Sequence, residues 1–306
     1  MTDGVEVRSE TEDPRQIQAE KLPAGWLAKW PWATFLLPMV VYMLLGTFEP
    51  TPPPVSNLVD DATAEFERQL EESFDNESLL PEIRYQYYPY IYTAKIAITL
   101  AVMILVWPGY RSFPWRVSGT SVVVGIVGVV LWVALCRLQL EPKLLGPVDR
   151  FLGGLMPFEG PAGEPPTIGL MGLLGAGERS AYNPLEELRD TGKWAYVFLA
   201  IRFVGLALVV PVIEEFFLRG FLMRYVLHEK WWQVPFGVVN RMAIVVGTAV
   251  PMMMHPGELL AALVWFSMVT WLMVRTRSIW DCVVAHAVTN FLLGVYVVAS
   301  GQWQLM

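Results

Sequence analysis

Val209-Val210-Pro211-Val212-Ile213-Glu214-Glu215-Phe216-Phe217-Leu218-Arg219-Gly220 sets two adjacent carboxylates and an arginine inside an apolar run. The residues before it, Trp194–Val212, are apolar for about the ~20 residues that carry a helix across a hydrocarbon layer. Proline needs no backbone donor in a first helical turn, so a further helix is expected from Pro211 to about Leu227. Whether that helix crosses the bilayer decides between seven and eight spans. Charges placed here are costly, roughly 2.5–3.5 kcal/mol each or more at the centre of a membrane, and such residues are candidates for function.

The rest of the chain repeats the pattern. Of 306 residues 54% are hydrophobic and only 17% charged, against roughly 25% charged in a soluble domain. Further spans are expected at Ala33–Thr47, Ile91–Trp107, Thr120–Leu138, Phe236–Met254, Leu259–Val274 and Ile279–Ala299. The predicted fold is all-α, a polytopic transmembrane bundle of seven or eight spans. Thirteen Trp and eleven Tyr, many near the block ends, suit the headgroup region. A net charge of −7 gives no reason to expect nucleic acid. Cys136 and Cys282 fall inside apolar blocks and read as buried thiols, without a disulfide framework.

The organisation divides into a tail (1–30), an N-terminal transmembrane region (31–193), a core (194–299) and a short end (300–306). The tail lacks the basic start and cleavage site of a removable signal. The loop 49–89 holds ten acidic and two basic residues, with helical spacing of Ala62, Phe66, Leu70 and Phe74 inside Asp60–Glu77. In the second loop, 139–193, Asn183-Pro184-Leu185-Glu186 reads as a helix N-cap followed by proline and a capping acid. The glycines at 169, 172, 175 and 177 lack the Lys-Ser/Thr of a phosphate loop. Gly125 and Gly128 are expected to let two helices approach closely. Arg111 and Arg116 in one short connection and Arg275 and Arg277 in another place both connections, and the N-terminus, in the cytoplasm.

Glu215 and Arg219 are spaced i, i+4 with the acid first, the favourable order for an ion pair. Glu214 points elsewhere and is the carboxylate left for proton abstraction. In the expected helix both acids lie in the first turn, beside the positive end of its dipole. Surface charges at an ordinary helix start would look the same. Of three histidines, His228 sits among Glu229, Lys230 and two tryptophans and reads as interfacial. His255 closes an apolar block. His286 and Asn290, four apart, share one helix face; they can offer two donors to a developing oxyanion or simply join two spans.

Glu-Glu-x-x-x-Arg, then a histidine ending the next apolar segment, then His-x-x-x-Asn in the last one, resembles the CAAX-protease and bacteriocin-processing family of glutamic intramembrane proteases. Arg275-Thr276-Arg277-Ser278-Ile279-Trp280 resembles the basic turn that precedes that family's last motif. The likeness covers roughly 194–299. The proline-preceded Glu-Glu and long N-terminal part also resemble the membrane proteases associated with bacterial exosortase systems, which implies a bacterial cytoplasmic membrane. The resemblance implies that Glu214 activates water with His255 as partner, and that His286 and Asn290 stabilise the oxyanion. Glu215 and Arg219 would hold the site, with neither a covalent intermediate nor a cofactor. The sequence departs from the family at Pro251, where an aromatic usually stands four residues before the histidine. On a simple span count His255 also lies at the external end of its helix and His286 ~10 Å from the cytoplasmic side.

The leading expectation is a peptidase cutting near the C-terminus of a membrane-anchored or lipidated protein. A zinc metallopeptidase using His255, His286 and Glu214 is the second reading, without the His-Glu-x-x-His that favours it. A third is a non-catalytic scaffold or immunity protein. A transporter is a fourth, lacking paired broken helices in corresponding halves.

Overall fold

A computed structural model describes residues 23, 25–50, 85–138, 140 and 181–305. Among these residues every regular element is helical. The expected amphipathic segment 60–77 and the glycines at 169–177 lie outside the described residues.

Among the described residues seven apolar helices form the bundle: α1 Ala33–Gly46, α2 Tyr88–Leu105, α3 Gly119–Leu138, α4 Trp194–Tyr225, α5 Arg241–Met253, α6 Leu259–Thr276 and α7 Ile279–Ser300. Five of them are long and apolar enough to cross a membrane; α1 and α5 are shorter. For α1, α2, α3, α6 and α7 both boundaries fall within three residues of the sequence reading. α5 starts later than expected, because Pro235 and Gly237 (φ +86°) hold 234–240 out of the helix and Asn240 caps the start through Ala243 N (2.8 Å).

One expectation is overturned. Pro211 does not start a new helix; Trp194–Tyr225 is one helix of 32 residues, and Glu214 and Glu215 sit deep inside it, away from any dipole end. Two π-helical turns make this possible, at Gly205–Val209 and Phe216–Leu222. A proline inside an α-helix leaves a carbonyl without its donor. Here the preceding turn is widened, so that Val210 N–H bonds to Gly205 O. The carbonyl next in that wide register, Leu206, would need the N–H of residue 211, which proline lacks. Asn290 Nδ2 on α7 supplies the bond instead, at 2.9 Å.

Small residues set the helix spacing, as the glycine pair led one to expect. A Cβ at Gly128 would lie 2.3 Å from the Trp265 ring, and one at Gly125 would lie 2.8 Å from Ala285 O. Thr289 Oγ1 of α7 donates in the same contact to Gly125 O of α3 (2.9 Å). At the start of α7, Ser278 caps the helix (3.3 Å to Asp281 N) and donates to Arg116 O (2.6 Å), while Asp281 accepts from Ser118 N (2.6 Å). These bonds bring the two arginine-bearing connections to one end of the bundle. At the other end Asn183 Oδ1 caps Pro184–Glu187 through Leu185 N (3.1 Å). Cys282 is buried and Cys136 half-buried, with no disulfide between them.

Gly128→Val should destabilise the protein by about 1–3 kcal/mol through overpacking against Trp265. Gly119→Ala, with nothing within 4 Å of its Cβ position, should change stability little. Thermal unfolding in detergent distinguishes the two, and equal shifts would discard this account of the α3 contact.

Candidate active site

The buried acid predicted to pair does so. Arg219 Nη1 lies 2.7 Å from Glu215 Oε2, with both side chains fully buried. Ionised carboxylates only accept hydrogen bonds, so the contact of Glu215 Oε1 with His286 Nδ1 at 2.9 Å is a donation from the ring. Glu215 thus lies between an arginine of its own helix and a histidine of α7. Arg219 is anchored again through Phe266 of α6, donating to its carbonyl (3.3 Å) and lying 5.8 Å from its ring centroid.

With Nδ1 engaged, the other ring nitrogen of His286 is turned toward Glu214, and His286 Nε2 is 3.9 Å from Glu214 Oε2. That is too long for a direct hydrogen bond and short enough for one water oxygen to touch both groups.

His255 joins the same cavity. α5 has 13 residues, ~20 Å at 1.5 Å per residue, and stops short of a full crossing. Pro251 lies in its last turn, where its carbonyl accepts from Met254 N (3.1 Å) and from His255 Nδ1 (2.8 Å). The histidine therefore turns back against the helix end, between the rings of Trp132 (5.7 Å) and Phe266 (5.5 Å). The span-count conflict between His255 and His286 is resolved by this early stop, and Phe266 lies against both (6.4 Å to His286).

A cavity of about 300 Å³ collects Glu214, His255, His286 and Asn290 on one surface, so the four residues predicted for catalysis are brought together. Glu215 and Arg219 lie behind it. His228 stays outside, exposed and accepting from Lys230 N (3.0 Å). Four further walls were not legible in the sequence: Tyr42 from α1, Trp132 from α3, and Trp265 and Thr289 beside His286. The single signal among these is Gly128, whose missing side chain makes room for Trp265. A second group missed by the sequence reading is Lys95, buried in α2, paired with Glu49 and lying 4.4 Å from the centroid of the Tyr42 ring. Among the described residues no group of three His, Cys, Asp or Glu is arranged to hold a metal ion.

Removing one partner of a buried ion pair leaves an uncompensated charge and typically costs about 3–5 kcal/mol. Arg219→Met should therefore lower the unfolding temperature markedly. Glu214→Gln, which breaks no bond shorter than 3.9 Å, should leave it nearly unchanged. A reversed order of stabilities would contradict the division of roles between the adjacent acids.

Comparison with known proteins gives one match. Residues 196–292 match a family model described as Type II CAAX prenyl endopeptidase Rce1-like. No curated protein and no solved structure matches the chain. The matched stretch contains Glu214, Glu215, Arg219, His255, His286 and Asn290, while Tyr42 and Trp132 come from helices outside it. Residues 196–292, the part that supplies every acid, histidine and amide of the cavity, are thus similar to the Rce1-like type II CAAX prenyl endopeptidases.

Proposed function

We propose that this protein is an intramembrane endopeptidase of the glutamic type, acting near the C-terminus of a membrane-anchored or lipidated protein. The observation that carries the reading is the convergence of Glu214, His255, His286 and Asn290 on one cavity, with Glu215 and Arg219 locked behind them. An integral membrane peptidase agrees with the family match and the five long apolar helices. Seven spans, counting α1 and α5, and a bacterial cytoplasmic membrane belong to the same proposal, as does the likeness to exosortase-associated proteases.

In this mechanism Glu214 removes a proton from a water held between it and the two histidines. The resulting hydroxide attacks the scissile carbonyl carbon. Negative charge moves to the carbonyl oxygen, where His286 Nε2–H and the second amide hydrogen of Asn290 donate to it. Glu215 balances the positive charge that His286 needs for that donation. Collapse of the tetrahedral intermediate expels the amine, which takes the proton from Glu214 directly or by way of His255. Water is both nucleophile and proton source, so no acyl-enzyme forms.

The test is cleavage of membrane-anchored C-terminal peptides by purified protein in detergent. Glu214→Gln and His286→Ala should abolish measurable turnover, and Asn290→Ala should lower kcat by about 10²–10³, the usual effect of one oxyanion donor. A chelator should leave the rate unchanged; chelator-sensitive cleavage would favour the zinc reading. Full activity in folded Glu214→Gln protein would sink the glutamic mechanism.

A further inference from the structure

The last turns of α6 carry a surface groove separate from the cavity that holds Glu214. It measures about 450 Å³ and is lined by Trp271, Val274, Arg275 and Arg277. Leu263, Ser267, Trp271 and Val274 recur at three- and four-residue spacing and are all exposed, so the described bundle leaves one stripe of α6 uncovered. Trp271 is 55% exposed and Val274 40%. In a helix that spans a membrane, acyl chains cover such a stripe. From Leu263 to Arg275 the rise is ~18 Å at 1.5 Å per residue, close to the ~15 Å of one leaflet of a ~30 Å hydrocarbon layer.

Two guanidinium groups stand at the head of this stripe. Both side chains are exposed, and among the described residues neither has a hydrogen-bond or ion-pair partner. Asp281, the acid nearest in sequence, is engaged by Ser118 N (2.6 Å) and Ser118 Oγ (3.1 Å). Arg275, in the last turn of α6, is accounted for by the negative end of the helix dipole. Arg277 is not. It caps α6 in the left-handed conformation (φ 52°, ψ 35°), where glycine is the usual residue. Among the described residues no other side chain has a positive φ. Gly237 makes room for its stem, since a Cβ there would lie 2.8 Å from Arg277 Cγ. An arginine kept in a strained backbone position, seated against a glycine and left without an acceptor, is placed for a ligand from outside the chain.

We propose that this groove binds an anionic phospholipid, its phosphate held between Arg275 and Arg277 and an acyl chain lying along Trp271 and Val274 toward Leu263. Arginine grips a phosphate through two parallel N–H···O bonds and is more weakly hydrated than lysine, which suits the membrane interface. Tryptophan is the residue type enriched at that depth. Charge and shape select the lipid together. A free phosphate would leave the apolar stripe uncovered, and a zwitterionic headgroup would bring a cation to two arginines. Such binding requires no peptidase activity.

Native mass spectrometry of the full chain, equilibrated with equal amounts of phosphatidylglycerol and phosphatidylcholine of identical acyl chains, tests the site. Each arginine beside anionic headgroups is worth about fivefold in binding. The unsubstituted protein should therefore retain phosphatidylglycerol over phosphatidylcholine by about tenfold or more, and Arg275→Gln with Arg277→Gln should cut that preference to about twofold or less. Arg111→Gln with Arg116→Gln removes the same charge from the neighbouring connection and should preserve the preference. Arg277→Gly separates ligand from fold: glycine relieves the left-handed backbone, so the unfolding temperature in phosphatidylcholine should hold or rise while phosphatidylglycerol binding falls about fivefold. The proposal is overturned by a preference absent from the unsubstituted protein, surviving the Arg275 and Arg277 changes, or lost equally with Arg111 and Arg116. Displacement of the lipid by excess inorganic phosphate would make free phosphate the ligand, and a lipid-free dimer dispersed by the Arg275 and Arg277 changes would make the groove a contact between copies. A lowered unfolding temperature in Arg277→Gly would assign that arginine to the fold.

Discussion

A carboxylate without any solvent exposure, Glu215, is the constraint around which this bundle is arranged. Taking such a charge out of water costs several kcal/mol, and attraction offsets that only where geometry is good and the remaining lone pairs are filled. Arg219 takes one oxygen and His286 takes the other. The first contact is local, four residues along a helix. The second fixes α7 against α4 and leaves His286 Nε2 3.9 Å from Glu214 Oε2. Arg219 then needs its own support, which comes from the carbonyl and ring of Phe266 on α6. Three helices are thus registered by one buried acid, and the adjacent acid, Glu214, is left facing the cavity.

Irregular helix geometry serves the same end. The π-turn before Pro211 lets α4 run on through a residue that would otherwise break it, and leaves Leu206 O for Asn290 to satisfy. Single π-turns recur at functional sites, and here the physical reason can be followed bond by bond. The proline removes a donor, the orphaned carbonyl selects an amide from the neighbouring helix, and that amide stands one turn from His286. Asn290 therefore has a positional role that exists independently of any oxyanion. At α5 another proline acts at a helix end: the carbonyl of Pro251 holds His255 Nδ1.

Packing differs along the described bundle. Around Phe216 the aromatic rings of four segments meet at 4.4–5.9 Å, and the adjoining connections are hydrogen-bonded to the start of α7. Beyond Glu214 the helices separate enough for a cavity of about 300 Å³. Glycines allow both arrangements, since at Gly125 and Gly128 the backbone of α3 comes as near α6 and α7 as a missing side chain permits.

The sequence by itself determined the helices, because a membrane-spanning segment must satisfy its own backbone and the run of apolar residues therefore measures its length. It also determined the Glu215–Arg219 pair, since four residues along a helix is a contact whatever surrounds it. The similarity of residues 196–292 to the Rce1-like family was legible from Glu214 to Asn290 for the same reason, as each motif is local to one helix. Only the tertiary structure decided what depends on separate helices meeting. That Pro211 lies within a helix depends on a donor from α7. That His286 binds Glu215, and that Tyr42 and Trp132 wall the site, depends on packing across 71 or more positions of chain. Such contacts leave no periodicity in one strand of sequence, because their energy belongs to pairs of surfaces and not to either surface alone.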